Sequence, residues 1–231
     1  VHLKKSPEYS EEPTKYTQKS NPKIARPNLK VKYDHEIDIV FLVDGTKTNM
    51  FFYDALKNSI ECVLKKWISG YPNVHFRFGS VIYRNLAVSQ ETVDCEAKPP
   101  FVVNLTEKID QIQSFFNDHK TSGGGSKYAN DWSSGYQAIL DQINWNEKAE
   151  KVVIQICDSP SLGKDFTMKF EWFQEYVKTP KFDKNKSFKQ NLRIYKKIQE
   201  KQKISLCMNI QKLAEKKIRF FCLNGNENAL F

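Results

Sequence analysis

The feature that most constrains the fold is residues 37–43, IDIVFLV, which Asp44 follows directly. Seven mostly β-branched or large apolar residues predict a short strand that is buried on both faces. Asp44, Thr46 and Thr48 then come at a spacing of two, before a helical pattern begins. This turn therefore follows the carboxyl end of a strand, which is where open α/β sheets place their ligand sites.

Two interpretations of this turn are open. Carboxylate and hydroxyl oxygens are hard ligands that suit Mg²⁺, so Asp44, Thr46 and Thr48 could form part of a metal site. In an ordinary strand-to-helix loop, a Thr or Asn side chain would instead cap the helix that follows. The turn by itself favours neither interpretation, and the rest of the chain has to decide.

A second apolar run, residues 152–157, also ends at an aspartate, Asp158. If the two strands are parallel neighbours, both carboxylates lie at one edge of the sheet. Two like charges are costly there unless a cation lies between them. The Gly-rich loop that ends at Ser126 would close the third side. We therefore predict a Mg²⁺ site formed by Asp44, Thr46, Thr48, Ser126 and Asp158.

Strands and helices alternate along residues 36–231, and the strands are rich in β-branched residues. This pattern predicts an α/β fold with a doubly wound, mostly parallel sheet flanked by helices. Residues 1–35 contain four prolines and show no sustained period, which indicates a tail or linker. The Lys-rich region around residues 163–204 is interpreted as an insertion. The predicted strands are 37–43, 74–83, 101–103, 152–157 and 218–223, and Thr106 is predicted to cap a helix.

The net charge of +9 is uneven. Residues 1–35 carry eight basic and four acidic side chains, and residues 181–217 carry twelve and three, whereas residues 36–180 carry fifteen and nineteen. A basic segment suits an acidic protein surface, a nucleic acid or a membrane surface as its neighbour, or is simply solvated. We expect an acidic protein surface within a larger assembly, and consider nucleic acid the less favoured partner.

The expected compartment is intracellular and cytoplasmic. No apolar run is long enough to cross a membrane, and no apolar N-terminal segment resembles a secretory signal. The cysteines show neither close pairing nor zinc-site spacing, which indicates a reducing compartment without a disulfide framework. Their positions are Cys62, Cys95, Cys157, Cys207 and Cys222.

Several motifs occur in an order that resembles von Willebrand factor A (vWA) domains. Asp44-x-Thr46-x-Thr48 is similar to that family's metal-ion-dependent adhesion site (MIDAS), and Asp158 is similar to its second aspartate. The resemblance covers about residues 36–224. It implies a doubly wound fold, a divalent cation, and a bridge from that cation to a carboxylate on a partner protein.

The resemblance is strongest to the intracellular vWA branch found beside alpha-type protein kinase domains. Residues 83–85 resemble the branch's Y-R-D, and residues 123–125 with Asp131 resemble its G-G-G-D-x-x-E-D. Residues 158–160, DSP, resemble its D-A-P. The chain departs from the pattern at Lys47, where a glycine is usual, at Ser126, where an acidic residue or Thr is usual, and at Asn130. A cation at Lys47 could weaken a bound metal or take its place.

Enzymatic alternatives lack their motifs. The chain has no phosphate-binding G-x-x-x-x-G-K-[ST], no dinucleotide fingerprint, no G-x-S-x-G and no kinase signature. A haloacid dehalogenase phosphatase would need a second Asp where Thr46 stands. We therefore expect a non-enzymatic protein-interaction domain. The alternative is a structural subunit of a larger assembly whose metal site is degenerate.

Overall fold

The computed structural model describes residues 33–84, 100–121, 131–159, 161 and 184–225. By its contacts the chain divides into Val1–Val31 and Lys32–Phe231, and every described residue belongs to the second unit. The described strands form one five-stranded sheet in the order β3-β2-β1-β4-β5. Their bounds are His35–Asp44 (β1), Val74–Tyr83 (β2), Phe101–Thr106 (β3), Glu150–Cys157 (β4) and Ile218–Asn224 (β5).

Four described helices connect and cover these strands. A short 3₁₀ turn, Lys47–Asn49, leads from β1 into the first helix. None of the helices in the described part of the chain is long and apolar enough to span a bilayer. Their bounds are Met50–Gly70 (α1), Ile109–Asp118 (α2), Trp132–Gln142 (α3) and Phe188–Glu215 (α4).

The sheet is parallel except at one edge. Strand β1 lies in the middle, parallel to β2 on one side and to β4 on the other, and β5 continues the parallel order beside β4. Only β3 is antiparallel. The side chains of β1 alternate between two apolar clusters. Val40 and Leu42 pack with α3 and α4, whereas Phe41 and Val43 pack with α1 and α2. The predicted doubly wound, mostly parallel sheet is therefore confirmed.

Two local predictions were wrong. Thr106 does not cap a helix, because β3 continues through it and α2 begins only at Ile109. Its hydroxyl instead accepts a hydrogen bond from the Lys108 backbone N–H. The apolar run at the end of the chain forms β5 as predicted, but only its first residue is buried, because β5 is an outer strand of the described sheet.

The predicted tail and insertion are only partly described. Residues 1–32 of the tail lie outside the described residues, and so do residues 162–183 of the insertion. The rest of the insertion is not a separate segment, because residues 188–204 and 205–215 form one continuous helix, α4. The N-terminus of α4 is fixed by a capping box. Ser187 Oγ accepts from the Gln190 N–H, and Gln190 Oε1 accepts from the Ser187 N–H.

Candidate metal centre

The carboxyl edge of the sheet brings the two predicted aspartates to adjacent strands. Strand β1 ends at Asp44, and Asp158 directly follows the end of β4. The register pairs Val43 with Ile156, so the backbone segments that follow β1 and β4 leave the sheet side by side. Asp44 is fully buried, at 0% exposure, and Asp158 is half-buried. Parallel strands end at a common edge of the sheet. The sheet therefore places Asp44 and Asp158 at one edge, as predicted.

The turn after β1 folds its polar side chains back onto Asp44. The Thr46 N–H donates to Asp44 Oδ1 at 2.9 Å. The Asn49 side-chain amide donates to the Asp44 carbonyl oxygen at 2.8 Å. The hydroxyls of Thr46 and Thr48 lie 3.0 Å apart. Carboxylate, carbonyl and hydroxyl oxygens are thus gathered within one six-residue turn.

None of these side chains caps the following helix. Thr46 stands at the N-cap position of the 3₁₀ turn and Asn49 at that of α1, yet neither makes a side-chain capping hydrogen bond. The ordinary role of Thr and Asn at such positions is to accept from a backbone N–H of the first turn. Here Asn49 donates back to the end of the strand instead. The capping interpretation of the turn is therefore wrong for these two residues.

Gly45 lets this turn lie directly against the end of β2. Its N–H donates to the Tyr83 carbonyl oxygen at 2.8 Å. A Cβ at this position would lie 2.5 Å from Ile82 Cγ2 and 3.3 Å from the Tyr83 carbonyl oxygen. Any larger residue would have to push the turn away from the sheet. The close approach therefore requires glycine at position 45, and it fixes the backbone position of the neighbouring Asp44.

Two cationic residues lie beside the turn. Lys47 is exposed, and within the described part of the chain it forms no ion pair. Arg84 follows β2, and its Nε lies 3.3 Å from the position a Gly45 Cβ would take. The Arg84 guanidinium donates to the Lys120 carbonyl oxygen at 2.6 Å and lies over the Phe101 ring. Lys47 therefore places a positive charge on the exposed side of the turn, whereas the Arg84 guanidinium is held by the Lys120 carbonyl oxygen and the Phe101 ring.

Three buried polar side chains beneath the turn are linked by hydrogen bonds. The Tyr136 hydroxyl donates to Gln155 Oε1 at 2.8 Å, and Gln155 Nε2 donates to the Tyr83 hydroxyl at 3.3 Å. Burial raises the pKa of Tyr83 well above its usual value, and the nearby Asp44 carboxylate adds to that rise. Tyr83 therefore stays neutral. The Asp44 charge affects the pKa of Tyr83 because the protein interior screens charge poorly.

Two thiols lie on the neighbouring strands at this edge. Cys157 is buried at the end of β4, and its Sγ is 3.7 Å from the Sγ of Cys222 on β5. The hydrogen bond between them lowers the pKa of Cys222, whereas that bond and burial together raise the pKa of Cys157. Cys157 packs as a small apolar side chain, whereas Cys222 is exposed.

The side chains of this edge fit a hard divalent cation. They offer two carboxylates and two hydroxyls, which is the donor type that Mg²⁺ prefers. Asn49 Oδ1 is buried and has no hydrogen-bond partner among the described residues, so another neutral oxygen lies close to Asp44. In the described part of the chain no three His, Cys, Asp or Glu side chains cluster as metal ligands. A cation would therefore depend on the hydroxyl oxygens as well as on the carboxylates.

The structure brings three of the five predicted ligands together and sets a fourth at the same edge. Asp44, Thr46 and Thr48 share one turn, and Asp158 leaves the adjacent strand. Ser126 lies outside the described residues. Sequence reasoning missed Asn49 and Ser159, whose hydroxyl donates to Asp158 Oδ1 at 2.9 Å. Their only sequence signal is a polar residue close behind each strand-ending aspartate.

Comparison with known proteins gives only distant similarities. No protein-family model matches the chain, and no curated protein matches it. The pilus adhesin SpaC from Lactobacillus rhamnosus GG, in its open conformation, is 14% identical with a TM-score of 0.40. That match covers 55% of this chain and 15% of SpaC. Proximal thread matrix protein 1 from the mussel byssus is 12% identical with a TM-score of 0.45, covering 82% of this chain and 36% of that one.

A second structure of the mussel protein, with a zinc-occupied MIDAS motif, is 15% identical with a TM-score of 0.37. It covers 54% of this chain and 28% of that one. The chain thus spans well under half the length of each of these proteins. Similarities of this size establish neither a family nor a function, and the alpha-kinase-associated branch is not among the proteins described above.

Proposed function

We propose that this chain is a non-enzymatic interaction domain that binds Mg²⁺ at the carboxyl edge of its sheet and, through it, an acidic group of a partner protein. Asp44, Thr46, Thr48 and Asp158 are the proposed ligands, with Ser126 as the predicted fifth. The observation that carries the proposal is the turn after β1. Its Thr and Asn side chains gather around Asp44 and leave the helix N-terminus uncapped.

Each side chain has a distinct task in this proposal. Asp44 and Asp158 supply the negative charge, and Thr46 and Thr48 supply neutral oxygens. Asn49 holds the Asp44 carbonyl and so fixes the turn. When bound, the cation would offset the repulsion between the carboxylates and offer an open coordination position to an acidic group. Thr48 is exposed, so the site is open to solvent on its side.

An exposed cation supports an acidic partner. Lys47 lies in the same turn as Asp44, so a carboxylate that approaches from solvent meets a cation first. Such an arrangement increases the rate of association more than the final affinity. It also gives Lys47 a role that does not compete with a metal, because its side chain is exposed rather than buried against Asp44.

Binding rather than catalysis is proposed because the described residues place no histidine beside Asp44 that could act as a base. A phosphatase of the haloacid dehalogenase type would use a second carboxylate at position 46, where Thr46 stands. His35 is the first residue of β1 and His75 is the second residue of β2. Both therefore lie at the amino ends of the strands, away from Asp44. His119 follows α2, and its ring Nδ1 is engaged with the Phe115 carbonyl oxygen. None of these histidines is placed as a base beside Asp44.

The test is direct cation binding. Mn²⁺, which has the same oxygen preference, is titrated into the protein and followed by electron paramagnetic resonance, with Mg²⁺ as competitor. We expect Asp44→Asn to weaken Mn²⁺ binding at least about 100-fold, since even outer-shell changes at metal sites cost 10–100-fold. Asp54→Asn makes the same chemical change at an exposed position on α1 and should leave binding unchanged.

Thr46→Val sharpens the same test. It keeps the shape of the side chain but removes the hydroxyl that contacts Thr48. Weaker Mn²⁺ binding with an unchanged thermal midpoint would support ligation by the hydroxyl. Binding by Asp44→Asn equal to that of the unmodified chain would refute the site. A chain that binds no Mn²⁺ but still assembles in a chelator would support the alternative, a structural subunit with a degenerate site.

A further inference from the structure

Helix α4 has two opposite faces. One face is buried against the body of the domain and includes Asn191, Leu206, Asn209 and Leu213. Helical spacing of three and four places five basic side chains on the other side. Glu200 is the single acidic residue between positions 184 and 203. The exposed basic residues of this face, called the basic stripe, are Lys189, Arg193, Lys196, Lys197 and Lys201.

Hydrogen bonds fix which face points outward. Ser205 Oγ and Ser133 Oγ lie 2.7 Å apart, joining the middle of α4 to the first turn of α3. Asn209, which is 2% exposed, donates its side-chain amide to the Ser133 carbonyl oxygen at 3.0 Å. Buried side-chain hydrogen bonds of this kind have one good geometry, so rotation of the helix about its axis would break them. The basic stripe is therefore held toward solvent.

The first half of α4 extends past the start of α3, the helix that Ser205 of α4 contacts. Its 28 residues correspond to about 42 Å at ~1.5 Å per residue. Ser205 already contacts the first turn of α3, so residues 188–204 continue past the start of that helix. Since α3 leads into β4, its start lies at the carboxyl edge of the sheet. The basic stripe is thus on the half of the helix that lies toward the carboxyl end of the sheet, the same end as Asp44.

An apolar pair continues the outward face. Ile204 and Met208 are 52% and 51% exposed, and their spacing of four places them on the same side as Lys197 and Lys201. Isolated exposed apolar residues are ordinary, but two adjacent ones in line with a charged stripe form a mixed surface. Along α4 the outward face is therefore basic for about 18 Å, from Lys189 to Lys201, and apolar in the next two turns.

We propose that this face of α4 is a docking surface for a helical segment of a partner protein, with acidic residues opposite the basic stripe and apolar residues opposite Ile204 and Met208. Charge complementarity selects the acidic part of the segment. The apolar pair sets its direction and register, because only one orientation brings both halves into contact. The surface needs no cation, so it is independent of the site around Asp44.

The arrangement favours a protein over a nucleic acid or a membrane. A phosphate backbone would use the basic stripe but would gain nothing from Ile204 and Met208. A membrane-surface helix carries its apolar residues along the whole length of one face, with cations beside them. On the outward face of α4, Ile204 and Met208 follow the cations along the helix axis instead. An acidic, amphipathic protein helix matches both parts.

The probe is a synthetic helical peptide of about 20 residues, the length that spans the face from Lys189 to Met208. Glutamates occupy one side of its first two-thirds, and leucines occupy the same side of the remainder. A peptide of the same composition with the glutamates and leucines mixed along its whole length serves as the register control. A single-stranded oligothymidine and phosphatidylserine vesicles represent the other partner classes. Binding is measured by fluorescence anisotropy for the soluble probes and by co-sedimentation for the vesicles.

The first variant reverses three charges of the stripe: Lys189→Glu, Arg193→Glu and Lys196→Glu. We expect it to weaken binding of the acidic peptide at least about 10-fold, since three attractions become repulsions. Circular dichroism checks that the helix is retained, and a second variant with Gln at the same three positions keeps the test valid if the first variant is unfolded. The matched control reverses three exposed lysines elsewhere on the described surface, Lys66, Lys108 and Lys148.

The apolar half is tested by Ile204→Ser with Met208→Ser. We expect a several-fold loss of peptide binding whose dependence on salt is unchanged. The stripe variant, by contrast, should lose most of the salt dependence. The proposal is overturned if the mixed-order peptide binds as well as the designed one, if the surface-control variant loses as much affinity as the stripe variant, or if the oligonucleotide or the vesicles bind more tightly than the peptide.

Discussion

Strand β1 carries two buried aspartates that are stabilised in different ways. Asp38 is 1% exposed and accepts two hydrogen bonds from the Arg77 guanidinium, at 2.8 and 2.6 Å. The Asn146 N–H donates to the same carboxylate. Asp44, six residues later on the same face of the strand, accepts from the Thr46 N–H and lies among the hydroxyls and amides of its turn. One carboxylate has a protein cation beside it, and the other lies in a turn of hydroxyl and amide groups.

Asp38 and Asp44 therefore have different roles along the same strand. A bidentate Arg–carboxylate pair offsets the cost of burying Asp38 and joins β1 to β2 permanently. Asp44 instead accepts from the backbone N–H of Thr46, in a turn whose hydroxyl oxygens are of the type that binds a cation. The same buried side chain is therefore structural toward the amino end of the strand and a candidate ligand at the carboxyl end.

The largest effect is expected on removing the cation from Asp38. Arg77→Met leaves the carboxylate buried without its bidentate partner, and should lower the free energy of unfolding by about 3 kcal/mol. Arg219→Met is the matched control, because its pair with Glu150 is 67% and 52% exposed and should cost at most about 1 kcal/mol. Urea denaturation measures both. Equal losses would show that Asp38 does not depend on Arg77.

The next effect concerns the response to a cation. Mg²⁺ at 100 times its dissociation constant should raise the free energy of unfolding of the unmodified chain by about 2.7 kcal/mol. Asp44→Asn should lose this gain completely, whereas Arg77→Met should keep it despite its lower starting stability. Urea denaturation with MgCl₂ or with chelator measures each gain. A gain that Arg77→Met loses and Asp44→Asn keeps would reverse the roles assigned to the two aspartates.

A smaller effect is expected from crowding the turn itself. Gly45→Ala places a methyl group 2.5 Å from Ile82 Cγ2 and should cost about 2 kcal/mol by overpacking. Because it moves the turn away from β2, it should also weaken Mn²⁺ binding. Gly70→Ala is the control, since a Cβ there meets nothing within 4 Å and Ala is the better helix former. Mn²⁺ titration of both variants would reveal whether the turn position matters.

The smallest effect concerns a third buried carboxylate. Asp131 caps α3 by accepting from the Ser134 N–H, and burial raises its pKa above the usual 3.8. The folded state therefore binds its proton more tightly than the unfolded state does, and this contribution to stability is lost as the pH rises through the folded pKa. Asp131→Asn keeps an acceptor but does not ionise. Its stability relative to the unmodified chain should rise between pH 3.8 and neutral pH, and a flat difference in denaturation midpoints would contradict this.

The sequence was sufficient for the strands that lie inside the sheet. The run that ends at Asp44 and the run that ends at Asp158 are β-branched and apolar, and both form parallel strands as predicted. Residues 218–223 have a similar composition, yet Phe221 and Leu223 are largely exposed on β5. A short apolar run carries information about strand formation but not about its place in the sheet, because strand order depends on contacts between distant segments.

The candidate site was predictable only as far as its spacing. Asp-x-Thr-x-Thr after a strand gives the turn, and the hydroxyl contact between Thr46 and Thr48 follows from it. Asn49 could not be assigned, because its contact with the Asp44 carbonyl depends on a 3₁₀ turn that precedes α1. The position of Lys47 likewise required the backbone, since exposure rather than charge decides whether it competes with a cation.

The central place of β1 has a consequence for the exchange of amide hydrogens with solvent. Its backbone is bonded to β2 on one side and to β4 on the other, so its amides should exchange with deuterium only when the whole sheet opens. The turn from Gly45 to Asn49 is joined to this slow strand and should open locally. Occupancy of the site would then slow deuterium uptake in the turn and leave uptake in β1 unchanged, which separates local closure from global stabilisation residue by residue.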